Sequence, residues 1–268
     1  MVLFRKSHLI VKIMSQSLLD LLASINILLW WSYGSLLLLF LIIQILTGML
    51  LSMHYCPNTK IAFMFFIYIV RNVNRGWLLY NIYINSVFLF FLYMYLHVVR
   101  RIYYNSFYLK ETWNIGIIIF ITVRAIAFIG YALLWDQIRF WGATVIINIF
   151  SAIPYIGIEL VQWLWGRLTL TSLTLNRFFI LHFLLPLLLL LIVAVHIIFL
   201  HKNGFNNLLG INSDCERISF YTYFRVKDII GFFVAIGLFI IIVLFALNFL
   251  SDSENFSKVS PLATPSYI

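Results

Sequence analysis

Two histidines in one apolar run set the chemistry this sequence can support. His182 and His196 are fourteen residues apart within the stretch Phe178 to Leu200. Fourteen residues make about 3.9 helical turns, so both imidazoles project from nearly one face, separated by about 21 Å along the axis. Ionisable side chains inside an apolar span are costly and usually functional. Imidazole is an ordinary axial ligand of haem iron. Two histidines on one face at two depths suit two ligand sites, one near each membrane surface. A bis-histidine site needs a partner on another helix. His97, near the end of an earlier apolar run, can pair with His196. The partner of His182 is then expected fourteen residues before His97, at position 83, which holds Tyr83. Tyrosine can also ligate haem iron.

Glycines repeat the interval. Gly34 and Gly48 are fourteen apart, and so are Gly116 and Gly130. A glycine lets a large flat group approach the backbone. A lone glycine in a span more often marks helix packing, and a lone histidine near a span end is more often structural. The weight lies in the joint pattern: four glycines and three histidines agree on two levels of one four-helix bundle, a usual place for a cofactor.

The elements that would position these residues are membrane spans. Hydrophobic residues make up 63% of the 268-residue chain and charged residues 10%, with a mean hydropathy of +1.02. Soluble domains have roughly 45–50% apolar and about 25% charged residues, so lipid is the solvent for most of this chain. The net charge of +9 does not point to nucleic acid, because the basic residues sit between apolar runs, as membrane flanks do. Cys56 and Cys215 are far apart in unlike contexts and give neither a metal spacing nor a disulfide framework.

A span needs about 20 apolar residues. Five stretches qualify: Trp31–Met53, Trp77–Val99, Trp113–Leu134, Phe178–Leu200 and Ile229–Leu250. The expected organisation is a surface helix region over 1–30, which does not read as a cleaved signal; a four-span bundle over 31–200; and a loop, fifth span and polar tail over 201–268. The bundle includes a tryptophan-containing segment, 135–177, read as helices lying at the interface. The loops on the N-terminal side carry Arg5, Lys6, Lys12, Arg100, Arg101, Lys110, Lys202, Arg217, Arg225 and Lys227. The other side carries Lys60, Arg71, Arg75, Arg139, Arg167, Arg177 and Lys258. This modest bias places the N-terminus inside. Arg124 falls in the middle of the third span.

With these features in place, the chain resembles the N-terminal part of mitochondrial cytochrome b. The segments LIIQILTGMLLSMHY (41–55), YLHVVR (95–100) and LKETWNIG (109–116) are similar to its first three spans. WGATVIINIFSAIPYIGIELVQWLWG (141–166) is similar to its quinol-oxidising segment. RFFILHFLLP (177–186) and HIIFLHKNG (196–204) are similar to its fourth span, and SPLATPSYI (260–268) to the approach to its sixth. The resemblance implies an all-α membrane protein with two b-type haems that passes electrons from ubiquinol across the mitochondrial inner membrane. It also implies a homodimeric complex containing cytochrome c1 and a Rieske iron–sulfur subunit, with membrane lipid as surroundings.

By the same resemblance His97 and His196 hold the high-potential haem iron and His182 is one ligand of the low-potential iron. Arg100 and Ser106 stand near propionates of the first haem and Arg177 near those of the second. His201, Lys227 and Asp228 form a quinone-reducing pocket; Phe128, Tyr131, Gly142 and Ala143 line a quinol-oxidising one. The sequence departs from the family at Tyr83, at Tyr80 in place of an arginine, at Leu134-Trp135-Asp136-Gln137, at Arg139 and at Phe205. It also ends before the family's Pro-Glu-Trp-Tyr motif. Two alternatives stand beside an active subunit: a partial or decayed copy without turnover, and a cofactor-free channel or structural subunit.

Overall fold

A computed structural model describes residues 7–8, 11, 22–28, 32–166, 169–204, 207, 216–249 and 253–265. The described elements, in chain order, are β1 (Leu22–Ser24), α1 (Tyr33–Ser52), α2 (Ala62–Asn72), α3 (Gly76–Tyr103), α4 (Lys110–Ala132), α5 (Gln137–Ile149), α6 (Gly157–Trp165), α7 (Ser172–Asn203), β2 (Arg217–Ser219) and α8 (Phe220–Phe245). Five of these, α1, α3, α4, α7 and α8, are long and apolar enough to cross a membrane. Helices are the natural spanning form because every backbone group is satisfied within the segment. Large apolar side chains such as Leu191, Ile198, Phe233 and Val234 stay more than 60% exposed, as expected of faces that meet lipid.

The expected spans hold, with shifted ends. α7 begins at Ser172 rather than Phe178, and α8 covers Phe220–Phe245 rather than Ile229–Leu250. α8 starts early because side chains four residues apart pair on one face. Phe220 stacks on Phe224 with centroids 5.7 Å apart, and Arg225 lies 5.3 Å over the Tyr221 ring. Lys227 and Asp228, expected in the 201–228 loop, are therefore helical. α7 runs through Pro186. A proline there removes the N–H that would bond the carbonyl of His182, which membrane helices tolerate.

The surface helix expected over 1–30 is corrected at Leu22–Ser24. These residues form a strand paired antiparallel with β2, Leu22 opposite Ser219 and Ser24 opposite Arg217. The pairing buries Ala23, which packs with Ile27 and Phe224. Residues 1–6, 9–10, 12–21 and 29–30 of that expected helix lie outside the described residues, as do Arg167, Phe205 and Cys215. The 135–177 segment holds helices α5 and α6, as expected. An unanticipated short helix, α2, buries Ala62, Phe63, Phe66 and Ile69 on one face.

The chain divides into two units, each with its own packing. Unit 1 comprises Met1–Ile43, Ser86–Ile119 and Leu191–Ile242. Unit 2 comprises Gln44–Asn85, Phe120–Leu190 and Val243–Ile268. α1, α3, α4, α7 and α8 each contribute one segment to each unit. In unit 1, Phe40 is fully buried between Tyr93, stacked at 5.6 Å, and the edge of Phe239, also at 5.6 Å. In unit 2, the core includes Ile129, Trp135, Ala143, Ile147, Leu175 and Phe178. The Tyr55 hydroxyl donates to the Leu133 carbonyl, and burial pushes its pKa up, which keeps the donor protonated.

The polar tail is pinned to the start of α5. Gln137 Nε2 donates to the Ala263 carbonyl at 2.5 Å, Ser260 N–H donates to Gln137 Oε1 at 2.6 Å, and Gln137 N–H donates to the Ser257 carbonyl at 3.0 Å. α5 itself starts at Asp136, whose carboxylate caps the Arg139 N–H at 3.0 Å, a standard helix-starting role. Trp135 just before it takes φ 55°, a left-handed conformation unusual for a bulky residue. Arg124 is exposed on α4, its guanidinium 5.0 Å over the Phe120 ring.

Candidate functional site

The fourteen-residue spacing sorts into the two units. In unit 1, a Cβ added to Gly34 would stand 3.7 Å from His97 Cε1, and one on Gly116 would stand 3.3 Å from His196 Cε1. In unit 2, a Cβ on Gly48 would stand 3.2 Å from Tyr83 Cε2, and one on Gly130 would stand 2.8 Å from His182 Nδ1. Each glycine thus faces the ring expected at its own level. The backbone positions behave as the interval requires; the difference lies in what the rings do.

In unit 1 the Nδ1 atoms of His97 and His196 are buried and have no hydrogen-bond partner among the described residues. Buried polar atoms without partners are rare; two buried imidazoles in one unit suit a metal centre, which either ring can meet through one of its nitrogens. The rings lie close enough for their charges to interact. Arg100 and Arg101, at 7% and 9% exposure, place two buried guanidinium groups near His97, and Ser106 is 6% exposed. Buried cations of this kind match an anionic ligand, since guanidinium groups pair well with carboxylates. These residues fit a haem: two imidazoles for the iron, glycines on two further helices, and cations for propionates.

Arg101 was not among the site residues expected from the sequence. The Arg100-Arg101 pair was its only sequence signal, and the family likeness singles out Arg100 alone. Thr112, 3% exposed with a buried hydroxyl that has no hydrogen bond among the described residues, gave no signal.

The residues expected at a quinone-reducing pocket also lie in unit 1. Lys227 Nζ donates to the Ile27 carbonyl at 3.1 Å and sits 4.4 Å over the Tyr223 ring. The Asp228 carboxylate lies beside the hydroxyls of Ser32 and Ser35, of which Ser35 donates to the Ser32 carbonyl at 2.8 Å. His201 is half-buried on the last turn of α7. Beside it Lys202 bridges to Glu111 of α4 at 2.9 Å. Ser32 and Ser35 were not foreseen, because their partner is nearly two hundred residues away in the chain.

Unit 2 is arranged differently. The Tyr83 hydroxyl is 2.8 Å from His182 Nε2, and His182 Nδ1 is 3.0 Å from the Ile126 carbonyl. The Nδ1 bond is one that a ligating histidine also makes, but Tyr83 occupies Nε2, the nitrogen left to meet an iron, so these residues do not fit a bis-ligated haem. Arg177, expected near propionates, donates to the Trp163 carbonyl and covers the Trp163 ring at 5.5 Å. Arg139 pairs with Asp136, both buried, and lies 5.2 Å over the Tyr131 ring.

Of the residues expected at a quinol-oxidising pocket, Gly142 faces Tyr131, with an added Cβ 3.5 Å from Cε1. Ala143 is buried. Phe128 meets the Phe178 ring edge-on at 6.0 Å.

The family model described as cytochrome b/b6/petB matches residues 18–204. Among solved structures, a chain of a "Hyperthermophilic respiratory Complex III" is similar, with a TM-score of 0.90 and 26% sequence identity over 99% of this chain and 72% of that one. The apolar spans, the facing histidines and glycines, and a family match over most of its length give one conclusion: the chain belongs to the cytochrome b/b6 family.

Proposed function

We propose that this chain is the membrane-embedded electron-transfer subunit of a respiratory quinol-oxidising complex of the mitochondrial inner membrane, and that it exchanges electrons with ubiquinone through a b-type haem. The observation that carries the proposal is the unit 1 constellation: the buried imidazoles of His97 and His196, whose Nδ1 atoms have no hydrogen-bond partner among the described residues, each ring against a glycine of another helix. Haem bound there supplies one-electron chemistry. The protein's share is to present two imidazoles, to hold Arg100 and Arg101 against the propionates, and to exclude water by packing.

Lys227 and Asp228 form the quinone-facing side. A quinone that accepts electrons must also take up protons, and a half-buried carboxyl group at the pocket can deliver one. Asp228 lies beside Ser32 and Ser35, while Lys227 is anchored by the Ile27 carbonyl. His201, on the last turn of α7, is assigned to the same pocket. Proton uptake there couples electron transfer to proton translocation. Cytochrome c1, a Rieske iron–sulfur subunit and a second copy of the chain are the proposed partners; support comes from the likeness to a Complex III chain.

A second reading, a decayed copy without turnover, draws on the direct Tyr83–His182 bond. The two readings separate in a quinone-reduction assay. The dithionite-reduced purified complex is mixed with a short-chain ubiquinone and haem re-oxidation is followed by stopped flow. In a working subunit, Asp228→Asn slows re-oxidation by about 10²-fold at unchanged haem content. Equal rates in the variant and the parent, or no re-oxidation in the parent, contradict the proposal.

A further inference from the structure

The second histidine site is closed by the protein itself. Two nitrogen or oxygen ligands at about 2.0–2.1 Å from a metal place their donor atoms roughly 4 Å apart across it. The Tyr83 hydroxyl and His182 Nε2 are 2.8 Å apart, too close for an iron between them. The other imidazole nitrogen is bound to the Ile126 carbonyl. A carbonyl only accepts, so Nδ1 carries the proton, and Nε2 accepts from the tyrosine O–H. Gln44 Nε2 donates to the Tyr83 backbone carbonyl at 2.7 Å, tying the pair to α1.

As in unit 1, each glycine of this unit faces a ring at its own level, but here the contact at Gly130 is tighter. Gly48 faces Tyr83 and Gly130 faces His182, where an added Cβ would fall 2.8 Å from Nδ1 and 2.9 Å from Nε2. Nearby cations are committed as well, Arg139 to Asp136 and Arg177 to the Trp163 carbonyl. Unit 1 presents the opposite condition, with two buried imidazole nitrogens left without hydrogen bonds among the described residues.

We infer that the Tyr83–His182 hydrogen bond replaces the iron of a second haem, so that the chain holds a single haem, between His97 and His196, and handles electrons at that site alone. The inference rests on the haem reading of unit 1. It also makes Tyr83 the residue that decides stoichiometry.

The test is haem content per chain in the purified full-length protein supplied with iron protoporphyrin IX, read by pyridine haemochrome. The expected parent value is about one haem, unchanged in His182→Ala. Tyr83→His is expected to approach two haems, falling back to one in Tyr83→His/His182→Ala. A parent with two haems, or a loss of haem in His182→Ala, overturns the inference. A Tyr83→His protein that keeps its first haem but gains none overturns the role given to Tyr83.

A second measurement needs no haem. Nitrogen-15 NMR of histidine-labelled protein should show the His182 Nε2 resonance displaced in Tyr83→Phe; an unmoved resonance contradicts the hydrogen bond. A parent that binds no haem yet shows this displacement defeats the electron-transfer proposal while upholding the closure.

Discussion

A hydrogen bond of 2.8 Å joins the Tyr83 hydroxyl to Nε2 of His182. Family likeness leads one to expect two ligands facing an iron at these positions. The glycines expected at such a site, Gly48 and Gly130, each face one ring of the pair. The spacing is that of a ligand pair, and the side chain at position 83 makes it a hydrogen-bonded one.

The glycine contacts rank a set of substitutions. An added Cβ meets His182 Nδ1 at 2.8 Å from Gly130, His196 Cε1 at 3.3 Å from Gly116, and His97 Cε1 at 3.7 Å from Gly34. Overpacking of this kind costs about 1–3 kcal/mol. Thermal unfolding in detergent should therefore find Gly130→Ala the least stable of the three and Gly34→Ala close to the parent. Equal midpoints would contradict the packing described.

The Asp136–Arg139 pair is buried, with side chains 0% and 3% exposed. Removing one member of a buried pair leaves an uncompensated charge, at about 3–5 kcal/mol. Asp136→Asn also keeps only part of the α5 cap. It should destabilise strongly in denaturant titration, and an added Arg139→Met should recover much of the loss. The Lys202–Glu111 bridge is 62% and 44% exposed, so Glu111→Gln should change stability by less than about 1 kcal/mol.

Arg124 lies exposed within α4. A mid-span arginine costs about 2.5–3.5 kcal/mol on insertion scales. Arg124→Leu should raise the inserted fraction of α4 in a translocon glycosylation assay. No change would mean that the guanidinium already reaches water or a polar partner.

Much of this architecture was legible in the sequence. Lipid-spanning helices announce themselves through length and composition, and the fourteen-residue interval alone assigns each of Gly34, Gly48, Gly116 and Gly130 to the level of its ring. Other features were not legible because they depend on distant partners. Leu22–Ser24 becomes a strand only through Arg217–Ser219. Asp228 meets Ser32 and Ser35 from the far end of the chain. Lys227 and Asp228 read as loop residues because their charge masks a helix held by the Phe220 and Phe224 rings. Tyr83 could be read as a missing ligand, but that it bonds to His182 depends on side-chain reach, which spacing does not encode.

The central claim is that His97 and His196 hold a haem. The most direct measurement is the dithionite-reduced absorption spectrum of the purified chain beside His97→Ala and His196→Ala, normalised to protein. The account predicts sharp bis-imidazole bands in the parent and their loss in both variants. A parent without such bands, or variants that keep them, would contradict it.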